Sequence, residues 1–85
     1  MEAHIIYHPD IKKDLKKLPS NIKERVRNVL ERLKLNPLLG IPLKGDMQGG
    51  RKIRLGNYRV IYKFYPEDKT VFITKIESRQ GVYKN

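Results

Sequence analysis

Apolar positions recur at helical spacing in the first half of the chain and at alternating spacing in the second. Residues Ala3 to Tyr7 form a short apolar run with β-branched members, which predicts a strand closed by His8-Pro9. Asp10 can cap the next segment, in which Ile11, Leu15 and Leu18 recur at i, i+4 and i+7 with lysines between them, so a short amphipathic helix is expected to end at Pro19. Ser20 offers a second N-cap. Beyond it Ile22, Val26, Val29, Leu30 and Leu33 make a stripe of helical period, with Glu24, Arg25, Arg27, Glu31 and Arg32 outside it. The two helices are expected to form an antiparallel hairpin.

Asn36-Pro37 stops the second helix, and Pro37, Gly40, Pro42, Gly45, Gly49 and Gly50 then supply turn chemistry up to residue 50. A loop of roughly 12–15 residues tends to be functional or mobile. Here Leu38, Leu39, Ile41 and Leu43 are expected to pin it to the core, leaving a mobile tip from Gly45 to Gly50 around Asp46. Three strand-like runs follow, Arg51 to Leu55, Tyr58 to Tyr65 and Thr70 to Glu77, separated by Gly56-Asn57 and by Pro66-Glu67-Asp68-Lys69. A two-residue Gly-Asn link is a strong hairpin signal, because a primed turn needs the positive φ that Gly and Asn tolerate. The order β-α-α-β-β-β predicts an α+β fold over residues 1–85, a single domain with a small antiparallel sheet packed against the N-terminal helical hairpin.

Composition narrows the functional classes. The 85 residues contain no Cys, which leaves disulfides and thiolate metal sites aside and makes the core aliphatic. With 39% hydrophobic and 33% charged residues the chain is too apolar for a disordered tail and too polar for a membrane protein. No stretch approaches the ~20 apolar residues of a membrane span, and the N-terminus lacks a signal-peptide layout, so a cytoplasmic location is the expectation. His4 and His8 have no acidic cluster beside them, and no phosphate loop or dinucleotide fingerprint is present; no metal and no cofactor are expected. Nineteen Lys and Arg against nine Asp and Glu give a formal charge of +10, which points to an anionic partner, nucleic acid being the commonest. The excess is concentrated: between Asp46 and Glu67 there is no acidic residue, while Arg51, Lys52, Arg54, Arg59 and Lys63 all fall there.

If Gly56-Asn57 is the turn, Leu55 faces Tyr58, Arg54 faces Arg59 and Ile53 faces Val60. Alternation then places Lys52, Arg54 and Arg59 on one face of the sheet, and Ile53, Leu55, Tyr58, Val60, Tyr62 and Phe64 on the helix-covered face. Two arginines directly opposite are disfavoured by up to about 1 kcal/mol relative to a neutral pair, and a bound anion would reverse that sign. A local rule broken in this way points to a functional site. Arg79 and Tyr83, just after the last strand, could reach the rim of the same face.

The segment Lys52-Ile53-Arg54-Leu55-Gly56-Asn57-Tyr58-Arg59-Val60-Ile61-Tyr62, with Arg79-Gln80-Gly81-Val82-Tyr83 after it, resembles the RelE/ParE superfamily of toxin–antitoxin toxins. The helix hairpin, the Gly-rich loop before Arg51 and the Gly-x-Tyr-Arg-x-x-Tyr signature occur in the family's order. The RelE branch implies a ribosome-dependent mRNA interferase, whose basic residues and C-terminal tyrosine cut messenger RNA in the decoding site. Carried over, the resemblance makes Lys52, Arg54, Arg59, Arg79 and Tyr83 the catalytic group, with Arg51, Lys63, Lys44 and Lys84 as further RNA-binding cations.

These residue types suit a metal-independent endoribonuclease in which a ribose 2′-hydroxyl attacks the adjacent phosphate. Arg54, Arg59 and Arg79 would stabilise the charge building on phosphorus. Tyr83 would serve as general base, with Lys52 or Arg54 assisting the leaving oxygen; free tyrosine and lysine titrate near about 10 and 10.4, so neighbouring cations must favour the deprotonated form of the base. The implied partners are the ribosome, messenger RNA and a cognate antitoxin of acidic character. A ParE-like inhibitor of DNA gyrase without nuclease activity, and a non-catalytic RNA-binding module, are the alternative expectations.

Overall fold

The computed structural model describes residues 2–45 and 49–78. In chain order they form β1 (His4–Tyr7), α1 (Pro9–Lys17), α2 (Ser20–Leu35), β2 (Ile41–Pro42), β3 (Gly50–Leu55), β4 (Tyr58–Tyr65) and β5 (Thr70–Ser78). The five strands make one sheet in the order β1-β5-β4-β3-β2. Both helices cover the same face of it. Ile11 from α1 and Ile22, Val26, Val29, Leu30 and Leu33 from α2 are buried with Leu55, Val60, Tyr62, Val71, Ile73 and Ile76 from the sheet. The i, i+4, i+7 stripes and the alternation of β3 and β4 are therefore the two halves of one core. No helix of the described residues is long and apolar enough to cross a membrane.

The helix starts differ from the expected ones. His8, not Asp10, caps α1: its Nδ1 accepts from the Asp10 backbone N–H at 3.2 Å, and Pro9 takes the first helical position, where a missing N–H costs nothing. Ser20 is the first residue of α2 and makes no capping bond. The Pro19 carbonyl opens that helix by accepting from the N–H groups of Ile22 and Lys23 at 3.0 and 2.9 Å.

The sheet is mixed rather than wholly antiparallel. β1 lies parallel to β5, with Ile5 beside Val71 and Tyr7 beside Ile73. Alternation predicts which side chains of β1 turn inward but not its partner or direction; burying Ile5 and Tyr7 against the helices fixes the edge position. The second difference is β2, a two-residue strand within the expected loop, antiparallel to β3 through Ile41–Lys52 and Pro42–Arg51. Pro42 is tolerated there because β2 is an edge.

The hairpin between β3 and β4 has the expected register, Leu55–Tyr58, Arg54–Arg59 and Ile53–Val60. Gly56 takes φ +63°, and Asn57 is not left-handed, the pattern of a type II′ turn with Gly first. Between β4 and β5 the register shifts after Ile61: Ile61 pairs with Lys75 and Tyr62 with Ile73, which leaves Thr74 as the extra residue of a β-bulge. The Thr74 hydroxyl donates to the Ile61 carbonyl at 3.1 Å and fastens the bulge to β4.

The loop before β3 is pinned, but only in part by the apolar residues expected to do it. Leu39 packs on the core, but Leu38 and Ile41 are exposed. Polar bonds hold the loop as well. The Tyr62 hydroxyl, fully buried, accepts from the Gly40 N–H and donates to the Pro37 carbonyl, both at 2.8 Å. Arg51 Nη1 donates to the carbonyls of Gly40 at 2.7 Å and Leu38 at 3.3 Å. A Cβ at Gly40 would lie 2.8 Å from the Tyr62 hydroxyl and 2.9 Å from the Lys52 carbonyl, so the close approach requires glycine. Farther on, the Leu43 N–H bonds the Gly50 carbonyl across the neck of the loop at 2.9 Å. Of the tip expected around Asp46, residues 46–48 lie outside the described residues.

Candidate active site

The face of the sheet turned away from the helices carries the cations. Lys52 and Arg54 come from β3 and Arg59 and Lys63 from β4, and each lies on this face by the period-2 alternation that sends Ile53, Leu55, Val60 and Tyr62 into the core. Arg54 is exposed and sits directly opposite Arg59. Lys52 is half-buried, opposite Ile61, which in turn has Lys75 on its other side. Lys63 is exposed one step farther along β4, flanked by Gly50 and Phe72. The sequence-predicted trio Lys52, Arg54 and Arg59 is thus brought together on one side of one hairpin.

Other predicted residues are placed elsewhere. Arg51 belongs to the helix-covered side, beside Tyr62, and its guanidinium binds the loop carbonyls. An odd number of steps separates it from Lys52 and Arg54, so it cannot share their face without breaking the pleat. Lys44 is exposed in the loop that follows β2 and is not part of the strand cluster. Arg79, Tyr83 and Lys84 lie outside the described residues.

Sequence reasoning missed Glu77. It stands beside Arg59 on β5, and its Oε1 accepts from Arg59 Nε at 2.9 Å and lies 2.8 Å from Arg59 Nη2. The carboxylate supplies the negative charge that the facing arginines demand. Arg59 consequently has cationic Arg54 on one side and an anion on the other. Its signal in the sequence was hidden by the bulge, because simple alternation from Val71 and Ile73 sends residue 77 to the opposite face.

Tyr62, the last residue of the Gly-x-Tyr-Arg-x-x-Tyr segment, is a fastener beneath the site. Burial raises its phenol above the usual 10.0, an effect opposed by the Gly40 N–H bond and by the nearby Arg51 charge. The proton therefore stays on the oxygen, available for donation to Pro37. The same hydroxyl holds the loop at Gly40 close to the Lys52 carbonyl of β3.

Chemically, the open face can bind an extended anion. Guanidinium groups on adjacent strands suit phosphate oxygens, and Arg forks match them bidentately.

Comparison with known proteins agrees with this architecture. A family model described as the ParE toxin of the type II toxin–antitoxin system parDE matches residues 5–83. A protein of Methanocaldococcus jannaschii named RelE1 is 36% identical, with 100% of this chain and 99% of that one covered. Among solved structures, the toxin–antitoxin complex RelBE2 of Mycobacterium tuberculosis gives a TM-score of 0.84 at 30% identity, covering 93% of this chain and 100% of the other. The archaeal RelE–RelB complex of Pyrococcus horikoshii gives 0.77 at 28% identity, covering 93% and 97%. The helical hairpin on a five-stranded mixed sheet matches these toxin structures. The chain belongs to the RelE/ParE family of type II toxin–antitoxin toxins.

Proposed function

We propose that the protein is a ribosome-dependent mRNA interferase that cuts messenger RNA in the ribosomal A site and so stops translation. One observation carries the reading: Lys52, Arg54 and Arg59 share the uncovered face of one hairpin, with two guanidinium groups opposite each other. A surface that only needed solubility would not set like charges directly across a strand pair. In the reaction the 2′-oxygen attacks the adjacent phosphorus as its proton passes to the general base, assigned to Tyr83. The bond to the 5′-oxygen breaks, and that oxygen takes a proton delivered by Lys52 or assisted by Arg54; a 2′,3′-cyclic phosphate and a 5′-hydroxyl result. Arg54 and Arg59, with Arg79, stabilise the added charge on the phosphate oxygens, which is where preorganised donors contribute most. Lys63 and Lys44 would contact RNA along its path. Arg51, turned to the loop carbonyls, supports the scaffold in this reading. No metal or cofactor takes part in the scheme.

The solved relatives in complex with RelB support a cognate antitoxin as the partner in the cytoplasm, an acidic chain that would neutralise the cationic surface.

A second reading has its own support. The matching family model is described as a ParE toxin, and Glu77 already balances Arg59, as a protein-binding surface without catalysis could have it. The family resemblance then implies a gyrase inhibitor. Translation with purified ribosomes and a defined messenger RNA, mapped by primer extension, separates the two. Cuts confined to the decoding position and lost in Arg59→Ala are expected. Folded wild-type protein that makes no cut refutes the interferase, and inhibition of gyrase supercoiling then establishes the second reading.

A further inference from the structure

Glu77 is the one carboxylate among the described strand residues, and it stands inside the cationic cluster. Its location depends on the bulge. Val71 and Ile73 are fully buried, so unbroken alternation sends residues 75 and 77 into the core with them. Thr74 adds one residue, the phase reverses, and Ile76 becomes the buried position at 7% exposure while Lys75 and Glu77 move to the open face. The strand irregularity therefore delivers a single anion to the side of Arg59.

The contact is also specific in its geometry. Arg59 Nε and Nη2 converge on one oxygen, Glu77 Oε1, at 2.9 and 2.8 Å. A guanidinium has five N–H donors. The pair occupies the side-on edge, Nε and one hydrogen of Nη2, so the end-on edge, Nη1 with the other hydrogen of Nη2, is turned away from Glu77. With the side-on edge taken, the end-on edge is the remaining pair of parallel donors able to take a phosphate bidentately. The Glu77 side chain is 18% exposed against 36% for Arg59, which places the carboxylate deeper and the guanidinium outward. The same hold offsets the repulsion between Arg59 and the directly opposite Arg54.

We infer that Glu77 is the positioning residue of this face: it grips the side-on edge of Arg59 and presents the end-on edge to an RNA phosphate. The identity of that phosphate rests on the interferase reading, whereas the grip and the anion site do not.

The test compares wild type with Glu77→Gln, which keeps an oxygen acceptor, and Glu77→Ala, which has none. On programmed ribosomes, Glu77→Ala is expected to lower the single-turnover cleavage rate at saturation about tenfold or more, the scale of a small misplacement of a reacting group, with half-saturation little changed. Glu77→Gln is expected to recover most of it. Equal rates for all three proteins, or equally faster cleavage by both variants, would overturn the inference, the latter by making Glu77 a competitor for Arg59. The second measurement needs no ribosome: the Arg59 side-chain N–H signal is followed by nitrogen–proton NMR while inorganic phosphate is added. In wild type it is expected to be sharp and to move with phosphate, and in Glu77→Ala to broaden and move less. No movement in wild type sinks the anion site. Movement that is larger in wild type than in Glu77→Ala, in protein that does not cleave, supports the positioning role and retires only the nuclease, whereas equal movement in both overturns the role of Glu77.

Discussion

Replacing Tyr62 by Phe removes one oxygen from a fully buried side chain and breaks two 2.8 Å hydrogen bonds. The Gly40 N–H is buried and loses its acceptor, which costs about 1–3 kcal/mol as an unsatisfied donor. The Pro37 carbonyl belongs to a half-buried residue, and the second bond is worth about 0.5–1.5 kcal/mol. Taken at the middle of each range, the two losses together cost about 3 kcal/mol. At roughly 0.05–0.15 kcal/mol per residue the whole domain holds on the order of 4–13 kcal/mol, so the variant should fold with a large fraction of its stability gone. Urea unfolding followed by far-ultraviolet circular dichroism is the assay. The midpoint should fall with the slope unchanged, and melting should drop by about 12–24 °C, taking ~4–8 °C per kcal/mol for a domain of this size. Amide exchange should accelerate through residues 37–43 before it does in β4. Tyr65→Phe, a change on a 45% exposed tyrosine of the same strand, is the control and should stay within about 0.5 kcal/mol. A loss below about 0.5 kcal/mol for Tyr62→Phe would refute the claim that this hydroxyl fastens the loop.

Three further outcomes rest on the same contacts. Because burial raises the Tyr62 phenol above 10.0, the unfolded chain gives up that proton first as pH climbs; the contribution is intact below about pH 10 and is lost as pH rises through the folded value. Urea midpoints at pH 9 and 10.5 should fall more steeply in wild type than in Tyr62→Phe, and equal falls would show that Tyr62 is not responsible. Gly40→Ala should cost about 1–3 kcal/mol from overpacking against the Tyr62 ring and the Lys52 carbonyl, and the double variant with Tyr62→Phe should lose less than the sum in the same titration. Arg54→Ala removes the charge facing Arg59; it should leave stability unchanged or raise it by up to about 0.5 kcal/mol while abolishing ribosomal cleavage, and a clear loss of stability would show that Arg54 serves the fold.

The helices were legible because an amphipathic stripe needs only a period, and Ile22 to Leu33 supply five positions of it. The β3–β4 hairpin was legible down to the Arg54–Arg59 pair, since a two-residue turn fixes which residues oppose one another. Nothing local specified the parallel seat of β1, whose four residues would alternate equally well in either direction. The fastening of the loop was hidden for a related reason: Tyr62 and Gly40 are 22 residues apart, and Gly40 reads as turn chemistry until a hydroxyl is found against it. Arg51 looked like one more cation of the basic segment. Its odd position in β3 turned it to the loop, where its guanidinium answers to backbone carbonyls.

By itself the sequence determined the element types, the core stripes, the basic segment and the pairing of two arginines, all of which come from periods of 3.6 and 2 and from a short turn. The tertiary structure alone decided what those arginines meet. One extra residue at Thr74 inverts the faces of β5 beyond it, and a carboxylate that alternation would send toward the core lies against Arg59 instead. Periodicity carries the phase of a strand only until a bulge resets it, and bulges are set by the neighbouring strand, through contacts such as the Thr74 hydroxyl on the Ile61 carbonyl.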